Sequence, residues 1–326
     1  MRAWLRIAAT ASVSAPLMVL AQGADPTKNY PSRPVRIITG SPGSTSDLSA
    51  RFIAQKLTDA WHRQVVVDNR AAAGGIISAE IASRALPDGQ TLLIGHIGTH
   101  VSPQSLYKNL AYDPIRDFEP ITNLVASAIV LVVHQSVPAP NVRELVAFAK
   151  TKADGVNYST PGGGTSGNLT GELFKQVTGA NIVHVPYKGA GFAATSVASG
   201  ETLVSFLAYS TAMPHIRSGR VKALAVLQKK RFVGLPDVPT SAEQGFPNLD
   251  SNVWFGLFAP AKTPKAIITK INQDAVAALR TEEARNTVLA LGAETVPTTP
   301  EEFGAYVRSE ITKWTKVIKD AGIKLQ

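Results

Sequence analysis

The stretch Ser159–Asn168, STPGGGTSGN, decides what kind of fold to expect. It contains the spacing G-x-G-x-x-G at Gly162, Gly164 and Gly167. The preceding GVNY has the pattern of a short strand, and the following LTGELFKQV has that of a helix. A glycine-rich turn from strand to helix exposes backbone N–H groups that bind anions. The stretch therefore predicts an α/β fold with an anion-binding corner.

A dinucleotide does not fit this corner. A nicotinamide or flavin site needs an acidic residue at the end of the next strand, about 20 residues on. No Asp or Glu lies between Glu172 and Glu201, and the next strand ends in PYKG. A P-loop needs Lys and then Ser or Thr after the final glycine, where this chain has Asn168 and Leu169. The sequence thus predicts no cofactor.

Strands and helices alternate on both sides of the corner. VRIIT at 35–39 and QTLLIGH at 90–96 read as strands, and DLSARFIAQKLTDAW at 47–61 reads as a helix. The alternation restarts at the helix NVRELVAFAKTK, 141–152, whose start is marked by Asn141 with Glu144 three residues later. This order predicts parallel sheets with helices on both faces. Two helices are expected to close the chain, each starting with a Thr cap followed by Pro, at Thr263-Pro264 and at Thr299-Pro300, the second with Glu302 after it.

Two other corners share the same composition. GSPGSTSDLS at 40–49 and GHIGTHVS at 95–102 also lead from a strand through Gly, Ser and Thr. Helix-start N–H groups lack intrahelical acceptors and lie at the positive end of the helix dipole. Such corners predict a receptor for a phosphate or a carboxylate. Asp47 is open to two interpretations, a helix cap or a ligand contact.

Enzymatic interpretations are poorly supported. Ser166 lies in GTSGN, which lacks the second glycine of a nucleophile elbow, and no spacing pairs it with His184 or His215. His96 and His100 flank a glycine in a predicted turn, with no carboxylate or cysteine nearby to complete a metal site. We therefore predict a binding protein that is not an enzyme and holds no metal, with a secreted serine hydrolase using Ser166 as the alternative.

The N-terminal residues 1–24 have the pattern of a secretory signal peptide. Arg2 and Arg6 precede a mostly apolar run that Pro16 interrupts, and small residues follow at 21, 23 and 24. Export to the periplasm is the expectation.

The amino-acid composition limits the classes of molecule that the protein is expected to bind. The formal net charge of +9 favours anionic ligands, but no basic stripe with interleaved aromatics predicts nucleic-acid binding. The chain has no cysteine, and 326 residues are enough for two domains without a disulfide.

In sequence order, nine segments resemble the Bug family, the periplasmic substrate-binding proteins of tripartite tricarboxylate transporters. They are YPSRPVRIITG, VVVDNRAAAGGIISAE, PDGQTLLIG, YDPIRDFEPIT, NYSTPGGGTSGNLTGELF, VHVPYKGAG, LPDVPTSAEQGFP, WFGLFAPAKTPK and TPEEFGAYVRSEITKW. The resemblance covers nearly all of the chain after residue 29.

This resemblance implies an α/β, two-lobed periplasmic-binding-protein fold of the type II, Venus-flytrap class, with a hinge between lobes. Lobe 1 would comprise residues 30–126 and 251–326, and lobe 2 residues 127–250. The expected function is capture of a small carboxylate for membrane transporter subunits, with delivery to a signalling receptor as another possibility. The protein is expected to be a monomer.

The family's mechanism and the three corners together give a set of candidate ligand-binding residues. They are Ser44, Thr45, Ser46, Asp47, Gly98, Thr99, His100, Gly164, Thr165, Ser166, Tyr187, Lys188, Gly189, Leu207, Ala208 and Tyr209. Leu207 and Ala208 stand where many relatives have Asp and Asn. Since a buried ligand amine needs a carboxylate partner, this departure predicts an amine-free ligand, such as a dicarboxylate or an aromatic acid lying against Leu207 and Tyr209.

Overall fold

The computed structural model describes residues 27–70 and 75–323, so the predicted signal peptide at 1–24 lies outside the described residues. Within them the strands are β1 (Val35–Thr39), β2 (Val65–Asn69), β3 (Thr91–Gly95), β4 (Phe118–His134), β5 (Val156–Thr160), β6 (Ile182–Pro186), β7 (Val204–Ala208), β8 (Val221–Val226), β9 (Asn252–Pro260) and β10 (Glu294–Thr295).

The helices alternate with these strands. They are α1 (Thr45–Trp61), α2 (Ile76–Ser83), α3 (Pro103–Leu106), α4 (Val142–Lys150), α5 (Ser166–Thr178), α6 (Ala190–Ser199), α7 (Tyr209–Arg217), α8 (Lys265–Leu279), α9 (Glu282–Ala290) and α10 (Pro300–Asp320). One π-helical turn, Ile97–Val101, occupies the position of a predicted loop. Among the described helices, none combines the length and apolar character needed to cross a membrane.

Local capping explains where several helices begin. The Asn141 side chain accepts a hydrogen bond from the Glu144 N–H at 2.9 Å, and Thr299 and Glu302 form a reciprocal capping box, both as the sequence predicts. The predicted Thr263 cap is wrong. Its hydroxyl instead donates to the Pro260 carbonyl at the end of β9, and α8 begins at Lys265. The expectation of two closing helices also omits α9.

The strands form one continuous path in the order β2-β1-β3-β9-β4-β7-β5-β6, with β8 and β10 paired to β4. β1 is parallel to β2 and β3, and β5 is parallel to β6 and β7. The prediction of parallel sheets holds for these outer strands. It is wrong for the centre, where β4 and β9 run antiparallel to their neighbours.

Strand β4 passes through both halves of the molecule. From Phe118 to Ala128 it pairs with β9, and from Ile129 onwards it pairs with β7 and β8. Below, lobe 1 denotes the strands β1, β2, β3, β9 and β10 with the first part of β4 and their helices. Lobe 2 denotes β5–β8 with the last part of β4 and their helices. The strand's long apolar run, VASAIVLVV at 125–133, is buried except at Ala126.

Helix α10 packs across both lobes. Its Trp314 is fully buried in a cluster that includes Ile38 of lobe 1 and Phe174 of lobe 2. The Gln176 amide on α5 donates to the Val317 carbonyl on α10 at 3.0 Å. This packing places the carboxyl ends of β1 and β5 on facing sides of a cleft.

Candidate ligand-binding site

A cavity of about 530 Å³ lies between the two lobes. Lobe 1 contributes Gly40, Ser41, Ser44, Thr45, Ser46, Gly75, His96, Val253 and Phe255. Lobe 2 contributes Ile129, Pro161, Thr165, Ser166, Gly167, Ala190, Phe206, Leu207, Ala208 and Thr211. A volume of this size is within the range of about 300–1,000 Å³ found for small-molecule sites.

The corner of lobe 1 forms one wall. Ser44 is the N-cap of α1, and its hydroxyl accepts from the Asp47 N–H at 3.3 Å and donates to the Ser41 carbonyl at 2.6 Å. The N–H groups of Thr45 and Ser46 follow the cap and have no intrahelical acceptor. They lie on a stretch that lines the cavity.

The corner of lobe 2 repeats this arrangement. Thr165 is the N-cap of α5, and its hydroxyl donates to the Gly162 carbonyl at 2.7 Å. The Gly164 N–H donates to the Asn168 side chain at 3.0 Å, just as the Gly43 N–H donates to Asp47 at 2.8 Å. The N–H groups of Ser166 and Gly167 are therefore placed like those of Thr45 and Ser46. Each lobe offers one equivalent helix start to the same cavity.

Three more helices begin at this cavity. Gly75 is the N-cap of α2, Ala190 is the first residue of α6, and Ala208 is the N-cap of α7; all three line the cavity. None of these three helices has a side-chain cap. Five helix N-termini, two from lobe 1 and three from lobe 2, thus face one volume.

No Asp, Glu, Lys or Arg is among the residues that line this cavity in the described chain. His96 is its one titratable group. Burial lowers the pKa of His96 to about 4, so the ring is neutral near pH 7. Its Nδ1 accepts from the Gly98 N–H at 3.0 Å, which places the ring proton on Nε2. The imidazole is therefore a neutral donor at the cavity wall.

Thr99 and His100 lie behind this wall. The Thr99 hydroxyl donates to the His96 carbonyl and accepts from the His96 N–H. His100 has no exposed surface, and its ring stacks on Phe258 with 3.9 Å between centroids. Neither residue lines the cavity; Thr99 holds His96 in place, and His100 packs behind it.

Asp47 points away from the cavity. Its carboxylate accepts from the Gly43 N–H, from Arg51 Nε at 3.0 Å and from Asn69 Nδ2 at 2.9 Å. Burial opposes ionisation, but these hydrogen bonds outweigh it and hold the pKa of Asp47 below its usual value. The N-cap of α1 is Ser44, and Asp47 does not line the cavity, so Asp47 is placed neither as the helix cap nor as a cavity-lining ligand contact. Its carboxylate stabilises the corner on the side away from the cavity.

We expect Asp47→Asn to change carboxylate affinity by less than about threefold, because Asn168 already fills the equivalent position in lobe 2. The free energy of unfolding should fall by about 1–3 kcal/mol, since the buried carboxylate accepts hydrogen bonds with both oxygens and the amide has only one. Calorimetric titration and urea unfolding measure the two effects. A tenfold loss of affinity in the folded variant would place Asp47 in contact with the ligand.

The segment Tyr187–Gly189 lies at the edge of the site. The Tyr187 N–H donates to the Thr160 carbonyl, its side chain packs on the core of lobe 2, and Lys188 is exposed. Tyr209 is buried, and its hydroxyl donates to the Gly234 carbonyl at 3.1 Å. These residues do not line the cavity, whereas Leu207 and Ala208 do.

A second cavity of about 380 Å³ adjoins the first. The two share His96, Thr165 and Ser166, and the second is also lined by Ile76, Gly98, Ser102, Leu106, Tyr107, Gly163 and Gly164. Gly98 and Gly164 of the candidate set therefore line the second cavity and not the first. Leu106 of lobe 1 lies so close to Gly164 that a Cβ at Gly164 would be 2.6 Å from Leu106 Cδ1.

Sequence reasoning missed much of the wall. The candidate set lacks Val253 and Phe255 of β9, Phe206 and Thr211 on the two sides of the pair Leu207–Ala208, and His96. The strand order of the sheet places β9 beside β3, but nothing in the apolar sequence of β9 indicates that this strand lines a cleft. The Gly-Ser-Thr composition signalled only the corners.

A hydrolytic site does not assemble around Ser166. His184 bonds to the Thr160 hydroxyl at 2.6 Å and faces the Asn168 amide, so it is committed to the corner. No hydrogen bond joins Ser166 to a histidine among the described contacts, and His96 is a weak base because of its low pKa. The described residues also contain no group of three or more His, Cys, Asp or Glu arranged to hold a metal.

Known proteins match this chain over most of its length. Residues 49–323 match the model of the tripartite tricarboxylate transporter family receptor, TctC. Protein BugT of Bordetella pertussis is 32% identical over 98% of this chain and 96% of its own length.

Solved structures resemble this chain both in fold and in sequence. The R. palustris protein Rpa4515 with adipate has a TM-score of 0.81 and 32% identity, covering 91% of this chain and all of its own. MatC from Rhodopseudomonas palustris with bound malate has a TM-score of 0.76 and 29% identity, over 89% of this chain and all of its own. The periplasmic binding protein BugD has a TM-score of 0.76 and 32% identity, with coverage of 91% and 100%. These matches confirm the α/β periplasmic-binding-protein fold, and they confirm the resemblance on which the functional expectation rested. The chain belongs to the tripartite tricarboxylate transporter receptor family, whose members are solute-binding receptors and not enzymes.

Proposed function

We propose that this protein captures a small carboxylate in the interlobe cavity and presents it to the membrane subunits of a tripartite transporter. One observation carries the proposal: in the described part of the chain, five helix N-termini from both lobes face one cavity that no charged side chain lines. Each N-terminus carries about half a positive charge, and free N–H groups there bind carboxylates. The relatives with adipate and malate bind ligands of this class.

The ligand contacts that we propose differ in part from the candidate set. Ser44, Thr45, Ser46, Thr165, Ser166, Leu207 and Ala208 remain, and His96 and Gly167 join them. The N–H groups of Thr45, Ser46, Ser166 and Gly167 would donate to carboxylate oxygens, and His96 Nε2 would add a neutral donor. The ligand's carbon skeleton would lie against Phe206, Leu207 and Phe255.

Closure of the lobes would complete the site. We take residues 127–250 as the unit that moves against 30–126 and 251–326, because the pairing of β4 changes between Ala128 and Ile129. Since each lobe supplies only part of the donors, a ligand bridging both stabilises the closed state. The transporter can then distinguish loaded receptor from empty receptor.

Export to the periplasm is part of the proposal. Its support is the arrangement of Arg2 and Arg6 before an apolar run and small residues ending near residue 24. Family membership points to the same compartment. We take the receptor to be a monomer that binds no nucleic acid.

The test is a titration of the purified protein with a panel of small carboxylates. We expect a bound acid to raise the melting temperature and to be recovered chemically unchanged. A ligand at 100 times its Kd stabilises the folded state by about 2.7 kcal/mol. As a control, Ser166→Ala should keep the backbone donors and so bind within about tenfold of wild type. Ester hydrolysis that Ser166→Ala abolishes would contradict the receptor function.

A further inference from the structure

The described residues offer no carboxylate partner for a cation in this cavity. A ligand ammonium buried between the lobes would need a carboxylate, because an unpaired buried charge costs several kcal/mol. No Asp or Glu lines either cavity in the described chain. The nearest carboxylate on the lobe 1 corner, Asp47, already accepts from Gly43, Arg51 and Asn69.

The helix N-termini make this deficit larger. The positive ends of α1, α2, α5, α6 and α7 that attract a carboxylate repel an ammonium group, and burial strengthens this effect. His96 adds a donor and no acceptor, because its Nδ1 is occupied by the Gly98 N–H. The helix starts thus present donors to the cavity, while the Ser and Thr hydroxyls on its wall can accept a hydrogen bond but carry no negative charge to balance an ammonium group.

The remaining wall is apolar. Ile129, Phe206 and Leu207 of lobe 2 face the cavity together with Val253 and Phe255 of lobe 1. Phe206 and Leu207 are at most 2% exposed, so their side chains are held by the core. An ammonium group on the carbon skeleton would lie either against this wall or against the donors.

Building on the proposed receptor function, we infer that the ligand is a carboxylic acid without an amino group, and that the site discriminates against the amino acid of the same skeleton. The site discriminates because no Asp or Glu of the described residues lines the cavity wall. The positive ends of five helices also point toward the cavity. This discrimination does not depend on the size of the acid, because the two cavities leave room for short and aromatic skeletons alike.

The test titrates the mature protein with two matched pairs, succinate against aspartate and 3-phenylpropanoate against phenylalanine. The members of each pair differ by the amino group. We expect the amine-free acid to bind at least about tenfold more tightly in any pair that binds, a difference of about 1.4 kcal/mol.

A charge introduced at Ala208 tests the cause. Ala208 lines the cavity as the N-cap of α7, where Asp and Asn are both favoured residues, so both variants should fold. Ala208→Asp supplies a carboxylate and should shift the preference toward the amino acid by about tenfold. Ala208→Asn has nearly the same shape without the charge, so whatever it does to the affinity for both acids, Ala208→Asp should shift the preference about tenfold further.

The outcomes separate the two proposals. Tighter binding of the amino acid by wild-type protein would overturn this inference and leave the receptor function intact. An equal shift in Ala208→Asp and Ala208→Asn would overturn the electrostatic cause. Failure of all four acids to bind at millimolar concentration would overturn the carboxylate proposal itself.

Discussion

Gly164→Val should reduce carboxylate affinity by tenfold or more while the protein still folds. Gly164 has φ +70°, and a Cβ there would be 2.6 Å from Cδ1 of Leu106 on the opposite lobe. Leu106 is 3% exposed and lines the second cavity, so its side chain has to shift into that cavity before the lobes can come as close as they are here. The added side chain should hold the lobes apart and weaken the closed, ligand-binding state.

Gly43→Val is the matched control. Gly43 occupies the equivalent position on the lobe 1 corner, with φ +73°, and a Cβ there would meet nothing within 4 Å. Both variants carry the strain of a positive φ, about 1–3 kcal/mol, but only Gly164→Val opposes closure. We expect Gly43→Val to change affinity by less than about threefold.

A second substitution isolates the contact with Leu106. In a double-mutant cycle, Leu106→Ala in the Gly164→Val background should restore at least half of the lost binding free energy. Affinity is measured by calorimetry, and folding by circular dichroism. Equal losses in Gly43→Val and Gly164→Val, or no recovery with Leu106→Ala, would show that closure is not limited by this contact.

Mild acid should destabilise the fold through its buried histidines. Burial lowers the pKa of His96 to about 4 and that of His100 to about 3. The unfolded chain therefore binds more protons than the folded one below about pH 6.5, so the free energy of unfolding decreases as pH falls. Each histidine contributes a slope of up to about 1.4 kcal/mol per pH unit.

His100→Leu should remove its share of this slope. His100 is enclosed by Phe258 and Phe118. The Thr99 hydroxyl, already donating to the His96 carbonyl, accepts from Nδ1, which leaves Nε2 unprotonated and without a partner. Urea unfolding between pH 6.5 and 5 gives the slope, and His62→Asn, at an exposed histidine, should keep it. A wild-type stability that does not change over this range would contradict the prediction.

The two helix-start corners could be predicted from sequence because their signal is local. Glycines at positive φ, a hydroxyl cap and a short side chain three residues later lie within a few positions of one another at Gly43–Asp47 and Gly164–Asn168. The orientation of Asp47 is not local. It depends on Arg51 on the next turn of α1 and on Asn69 at the end of β2.

The apolar wall could not be predicted for the same reason. Phe255 reaches the cavity because β9 pairs with both β3 and β4, which are distant in sequence. Leu207 and Tyr209 were expected to line the site together. The chain turns into α7 at Tyr209, so Leu207 stays at the cavity while Tyr209 packs against Phe232, with 4.8 Å between ring centroids.

Because lobe 2 is inserted within lobe 1, the order in which the chain is synthesised affects when lobe 1 can fold. β3 ends at Gly95 and its sheet neighbour β9 starts at Asn252, so about 150 positions must be synthesised before the two can pair. Such long-range pairing is slow to form. The first sheet therefore stays incomplete until most of the chain has left the ribosome. For the export that we propose, such a delay would keep the chain unfolded enough to pass through a translocation channel.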